Sequence, residues 1–145
     1  MRKKETISKI LKLKDTKKKE IEIKVRKAHE RVEDENSKLN ALQKDYNERL
    51  NYFREAHQQG VFSARDVVSQ YEMLSHLDGK IEQQERVNVE CENMLQSLEK
   101  TLIEAHRDKK AMEILNDKMT RQEQKEKALA EQKELDYLGV TRKMK

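Results

Sequence analysis

The chain has no proline and no tryptophan, and only three glycines and one cysteine among 145 residues. Without proline, no position is forced to kink or to give up a helical hydrogen bond. With Cys91 as the lone cysteine, no internal disulfide can form, and an intracellular, reducing setting is expected. Gly60, Gly79 and Gly139 are isolated from one another, so no glycine-rich phosphate loop is present. No apolar run approaches a membrane span, and the basic start MRKKETISKILKLK keeps inserting lysines where a signal peptide turns apolar. The expected location is therefore cytoplasmic. Aromatic residues make up 4% of the chain and supply no stacking platform for nucleic acid. The apolar fraction, 34%, is too small for a compact core of ordinary size.

What the chain has instead is charge. Charged residues account for 41% of it, and Ala, Glu, Lys, Leu and Arg together make up about half, the composition of a coiled coil or a long exposed helix. The net charge is only +4, and it is unevenly placed. Residues 1–30 carry twelve Lys or Arg against five acids, residues 31–120 thirteen against eighteen, and residues 121–145 seven against five. Basic ends flanking a mildly acidic middle suit an acidic partner at the terminal end.

Periodicity decides between disorder and helix. From Ile7, alternating steps of four and three reach Leu11, Lys14, Lys18, Ile21, Val25, Ala28, Val32, Glu35, Leu39, Leu42, Tyr46, Arg49, Phe53 and Ala56. Eleven of these fifteen positions are apolar, a 3.5-residue repeat sustained for seven heptads. A second seam runs from Val67 through Gln70, Leu74, Leu77, Ile81, Gln84, Asn88, Cys91, Leu95, Leu98, Leu102, Ala105, Lys109, Met112 and Asn116 to Met119, and eleven of its sixteen positions are apolar. Cys91 on this seam reads as a small buried hydrophobe.

Between the seams lies one well-made break. Gly60 can end a helix in a left-handed conformation. Ser63 and Asp66 have the spacing of a capping box, and Phe62 and Val67 that of a hydrophobic staple. A short connection between long helices makes them antiparallel neighbours. The predicted fold is all-α, a long antiparallel two-helix coiled-coil hairpin forming one domain over residues 1–145, with the second helix extending beyond the first. Helix 1 is expected over about 5–58, the turn over about 59–63 and helix 2 over about 64–137, with residues 138–145 frayed. Positions whose numbers sum to about 122 should face each other, giving paired arms about 80 Å long and leaving the last thirty or so residues without a partner helix. Leu129, Leu135, Leu138 and Val140 in that tail have nothing in the chain to cover them.

The chemistry of catalysis is missing. His29, His57, His76 and His106 are not grouped with other ligands at metal-site spacing, and HRDKK at 106–110 is charged helix surface. A two-helix coil offers no concave pocket in which to desolvate a carboxylate. No enzyme, cofactor, metal or small-molecule substrate is expected. The basic run KILKLKDTKKKEIEIKVRK would suit phosphate contact, but it continues directly into a seam, and nucleic-acid binding is not the favoured reading. Apolar residues beside the seams, Leu50 in helix 1 and Tyr71, Met73, Val87, Met94 and Leu115 in helix 2, suit a partner helix or domain better.

Three stretches carry a family resemblance. They are DYNERLNYFREAHQQGVFS at 45–63, YEMLSHLDGKIEQQ at 71–84 with Tyr71, Leu74, Leu77, Ile81 and Gln84 in a Y-x-x-[FL]…L-x-x-x-I-x-x-Q pattern, and EAHRDKKAMEILNDK with EQKELD towards the C-terminus. In order and spacing they resemble the FliJ family, the coiled-coil component of the bacterial flagellar type III export apparatus. The resemblance implies a stalk-like protein, peripheral at the inner-membrane export apparatus through its partners. Its terminal end would enter a hexameric export ATPase and promote ring assembly. Its flank would contact the cytoplasmic domain of the export-gate membrane protein and engage export chaperones. Carried onto this chain, the gate- and chaperone-facing residues would be Tyr46, Leu50, Met73, Leu77 and Gln84, and the ring-facing residues Arg2, Lys3, Lys4, Arg121 and Lys125. The equivalent stalk of a virulence type III secretion injectisome and a homo-oligomeric structural coiled coil are the alternatives.

Overall fold

The computed structural model describes residues 2–60 and 63–144, with side chains for residues 3–60 and 63–140. Two helices make up the described chain, α1 (Arg2–Gln58) and α2 (Ala64–Met144), and they pack on each other as an all-α helical hairpin. The helix break is built locally. Gly60 has a φ of 69°, left-handed backbone that an L side chain adopts only with strain, and its N–H donates to the carbonyl of His57 at 3.1 Å. At the other side, the Asp66 N–H donates to Ser63 Oγ at 3.3 Å while the Ser63 N–H donates to Asp66 Oδ2 at 3.3 Å. This reciprocal pair satisfies two of the amide groups left over at a helix start. Phe62, expected to complete a staple with Val67, lies outside the described residues; Val67 itself is half-buried.

Two compact units are present: Met1–Ile21 with Thr101–Lys145, and Glu22–Lys100. In the first unit, Lys4 pairs with Glu123 and Lys14 with Asp108, so that α1 and α2 run antiparallel. In the second, His29 pairs with Glu99, Asn36 with Asn88 and Arg49 with Met73, again in descending order. Lys14–Asp108, Asn36–Asn88 and Arg49–Met73 fall within two residues of the facing predicted from the turn.

The seams divide the side chains between interface and solvent. Every one of the fifteen α1 positions from Ile7 to Ala56 and the sixteen α2 positions from Val67 to Met119 is buried or half-buried. The most protected apolar residues, Ile21, Ala56, Leu74, Leu77, Cys91 and Ala105, all lie on them. None of the described large side chains is fully enclosed, because a two-helix coil protects each stripe from one side only. One step before Ile7 and one step after Met119, the two seams end on the Lys4–Glu123 ion pair, 3.1 Å apart. Lys109 occupies a seam position by placing its ammonium 2.7 Å from Asp15 Oδ1. That bond, with a second from Lys19, holds the Asp15 carboxyl below its usual range and raises Lys109.

Beyond Glu123, every described side chain up to Val140 is exposed, and the backbone remains helical to Met144. The helix thus runs past residue 137, the bound expected from the sequence. QKEKALAEQKEL is a run of strong helix formers, and Gly139 weakens the helix by only about 1 kcal/mol without removing a hydrogen bond.

The two central glycines should respond oppositely to alanine. Gly60→Ala places a side chain in left-handed backbone and is expected to lower unfolding free energy by about 1 kcal/mol. Gly79, mid-helix with open space where a methyl group would sit, should gain about 1 kcal/mol as Gly79→Ala, both read by urea denaturation. A second expectation concerns acid. The stabilisation from Asp15 is present above its unfolded value of 3.8 and disappears as pH falls through the lower folded value. Asp15→Asn should therefore lower Tm at neutral pH and flatten the acid limb of a Tm–pH profile.

Candidate partner-binding surfaces

Helical periodicity puts the seam on one face of each helix and leaves the opposite faces to carry whatever the molecule offers to others. In the unit of Glu22–Lys100, these faces and the flanks of the seam hold several apolar side chains in water. Val68 and Tyr71 near the start of α2 are exposed, Tyr71 at 71%, as are Tyr52 in α1 and Met73, Val89 and Met94 further along α2. Arg49 reaches from α1 to the sulfur of Met73, tying the two helices together beside this region. Val89 lies in a shallow groove among Glu82, Glu85, Arg86 and Glu90.

The five residues expected to form a gate- and chaperone-facing set separate into two kinds. Met73 is 42% exposed, and Tyr46 and Leu50 are half-buried with part of each side chain accessible. Leu77 is only 6% exposed and turned into the seam. Gln84 is half-buried, with its amide committed to Glu35 and Asn88. Leu77 and Gln84 thus have little surface to give a partner, whereas the outer faces add Val68 and Val89. Those two valines have a sequence signal of their own, since an apolar residue off the seam on a mostly polar helix has no packing role within a two-helix coil.

In the other unit, the ends of the seams gather basic side chains. Lys118, Arg121, Gln122 and Lys125 line one shallow depression, and Lys3 lines another with Met119, Gln122, Glu123 and Glu126. Of the five residues expected to face a ring, Lys3, Arg121 and Lys125 are exposed. Lys4 is partly neutralised by Glu123, an exposed ion pair contributing about 0–1 kcal/mol. The Arg2 side chain lies outside the described residues. Directly beyond this basic group, Leu129, Leu135, Tyr137, Leu138 and Val140 are exposed along α2. They are spread around the helix rather than collected into one stripe.

No group of three or more His, Cys, Asp or Glu able to hold a metal occurs among the described residues. No helix among them is long and apolar enough to cross a membrane. Cys91 is a free thiol buried in the seam.

None of the curated proteins and none of the solved structures compared with the chain matches it. A family model does match, described as "Flagellar FliJ protein", and it aligns with residues 3–142. With nearly the whole chain covered, and with the two-helix coil that this match spans, the protein belongs to the FliJ family and is a component of the flagellar export apparatus.

Proposed function

We propose that the protein is the stalk-like coiled coil of its export apparatus, acting between an ATPase ring and the export gate. The terminal end, with Lys3, Arg121 and Lys125 exposed and α2 continuing beyond α1, enters the hexameric export ATPase and promotes assembly of its ring. The flank carrying Tyr46, Leu50 and Met73 contacts the cytoplasmic domain of the gate protein and engages export chaperones, with Leu77 and Gln84 supporting it from the seam. The protein works in the cytoplasm and meets the membrane only through these partners.

The observation that carries this reading is the combination at the terminal end: clustered exposed cations followed by a helix whose described side chains are all exposed to Val140. A lone polar helix in water is only marginally stable, so a segment of this kind is best explained by a binding partner that covers it. Cations bordering it favour an acidic receptor and speed encounter.

Titration of the full chain into the export ATPase with nucleotide tests the reading, with light scattering and ATP turnover followed together. The full chain should promote ring formation and turnover. A version lacking residues 124–145, which keeps the Lys4–Glu123 pair, should do neither while retaining its helicity. Equal stimulation by both versions would remove the ring from the proposal. At the flank, Leu50→Ala combined with Met73→Ala should weaken capture by the gate's cytoplasmic domain about tenfold. Calorimetric titration showing unchanged affinity would exclude this surface as the gate contact.

A further inference from the structure

The seam of the Glu22–Lys100 unit contains one layer that is polar on both helices. Gln84 Nε2 donates to Glu35 Oε2 at 2.5 Å and to Asn88 Oδ1 at 2.9 Å, using both of its hydrogens. Asn88 Nδ2 in turn donates to Asn36 Oδ1 at 3.0 Å. The remaining carboxylate oxygen of Glu35 accepts from Lys38 Nζ at 3.3 Å. Asn88 is 7% exposed and the Glu35 side chain 13%, so these two groups are largely withdrawn from water, while Asn36 lies at the exposed edge of the layer. Apolar residues flank the layer along each seam, Val32 and Leu39 in α1, Ile81 and Cys91 in α2.

Hydrophobic burial alone distinguishes weakly between alignments of two heptad seams, because a slip of seven residues lays apolar positions over apolar positions again. The break at Gly60 and the Ser63–Asp66 cap oppose such a slip from one end, and the polar layer opposes it from within the seam. After a one-heptad slip, Glu35 would stand opposite Leu77 or Cys91, and Asn88 would meet His29 or Gln43 in place of Asn36. The pairs made within one helix, Lys38–Glu35 and Gln84–Asn88, survive the slip, but the bond across the seam from Gln84 to Glu35 is lost with only an apolar residue opposite Glu35, which disfavours the slipped state by about tenfold.

We propose that the layer formed by Glu35, Asn36, Gln84 and Asn88 is a register lock, which disfavours heptad slippage of α2 along α1 and so keeps Met73 on Arg49, at the flank that also carries Leu50. The bearing on gate contact rests on the flank reading above; the lock itself does not.

Cys91, the only cysteine, is a built-in probe because it sits on the seam one step beyond Asn88. Val32→Cys reports the native alignment, and Val25→Cys and Leu39→Cys report slips of one heptad in either direction. Each is oxidised in the full chain with the layer intact, and again with Glu35→Leu, Gln84→Leu and Asn88→Leu together. Intramolecular disulfides are located by peptide mass spectrometry of the monomer. With the layer intact, only Val32→Cys should cross-link. With the layer apolar, the two slip reporters should rise about tenfold while helicity by circular dichroism is kept. Cross-linking confined to Val32→Cys in the helical, apolar-layer protein overturns the lock. Asn88→Leu alone is read in the same way should the triple variant associate. Binding of the gate's cytoplasmic domain is measured on the same proteins. Slip with undiminished gate binding refutes the flank reading and leaves the lock standing; no slip refutes the lock whatever the gate does.

Discussion

An apolar stripe on a helix is protected only by what lies across from it, and in a two-helix coil that is one other stripe. Each seam residue therefore remains open on its flanks, and no described large side chain is fully enclosed. Stability is spread thinly over every step of the two seams instead of being concentrated in a core. The best-protected positions, such as Leu74, Leu77 and Cys91, are moderate contributors individually. This constraint also explains the composition. A coil of this kind needs only one apolar face per helix, and the rest of the circumference is available to Lys, Glu and Arg. Charges there are solvated, and most of their ion pairs, like Lys4–Glu123, add little to stability.

Much of the fold is written in that periodicity. The positions reached by counting threes and fours from Ile7 and from Val67 are the positions withdrawn from water. Ser63 and Asp66, three residues apart, make the reciprocal hydrogen bonds their spacing suggested. The surfaces were less legible. A seam residue and a surface residue can share one motif, and Leu77 and Gln84 were grouped with Met73 although the first two turn inward. Which partners a polar seam residue takes depends on the helix opposite, so nothing near Glu35 in sequence announces Gln84.

Membership of the FliJ family gives these surfaces a setting. The coil carries two dissimilar outer regions. One region is cationic and borders an exposed helix. The other is apolar in patches and lies along both helices. The two differ in physics as well as position: the first acts at a distance and weakens with salt, while the second requires close fit and excludes water.

The turn at Gly60 has a consequence for the order in which the molecule forms. Its left-handed glycine and its capping box depend on residues within one short stretch, so the bend can form before any seam contact exists. Once it has formed, Ala56 and Val67 need close only a loop of about ten residues, an event on the order of 10–100 ns. Each later layer of the Glu22–Lys100 unit then adds to a coil already started and closes almost no new loop. Zippering outward from the bend keeps each newly closed loop short, although the sequence separation of the paired residues grows at every step. On the ribosome the same logic reverses: α1 is complete while its partner is still unmade, and its apolar stripe stays open to water until the bend and the first turns of α2 emerge.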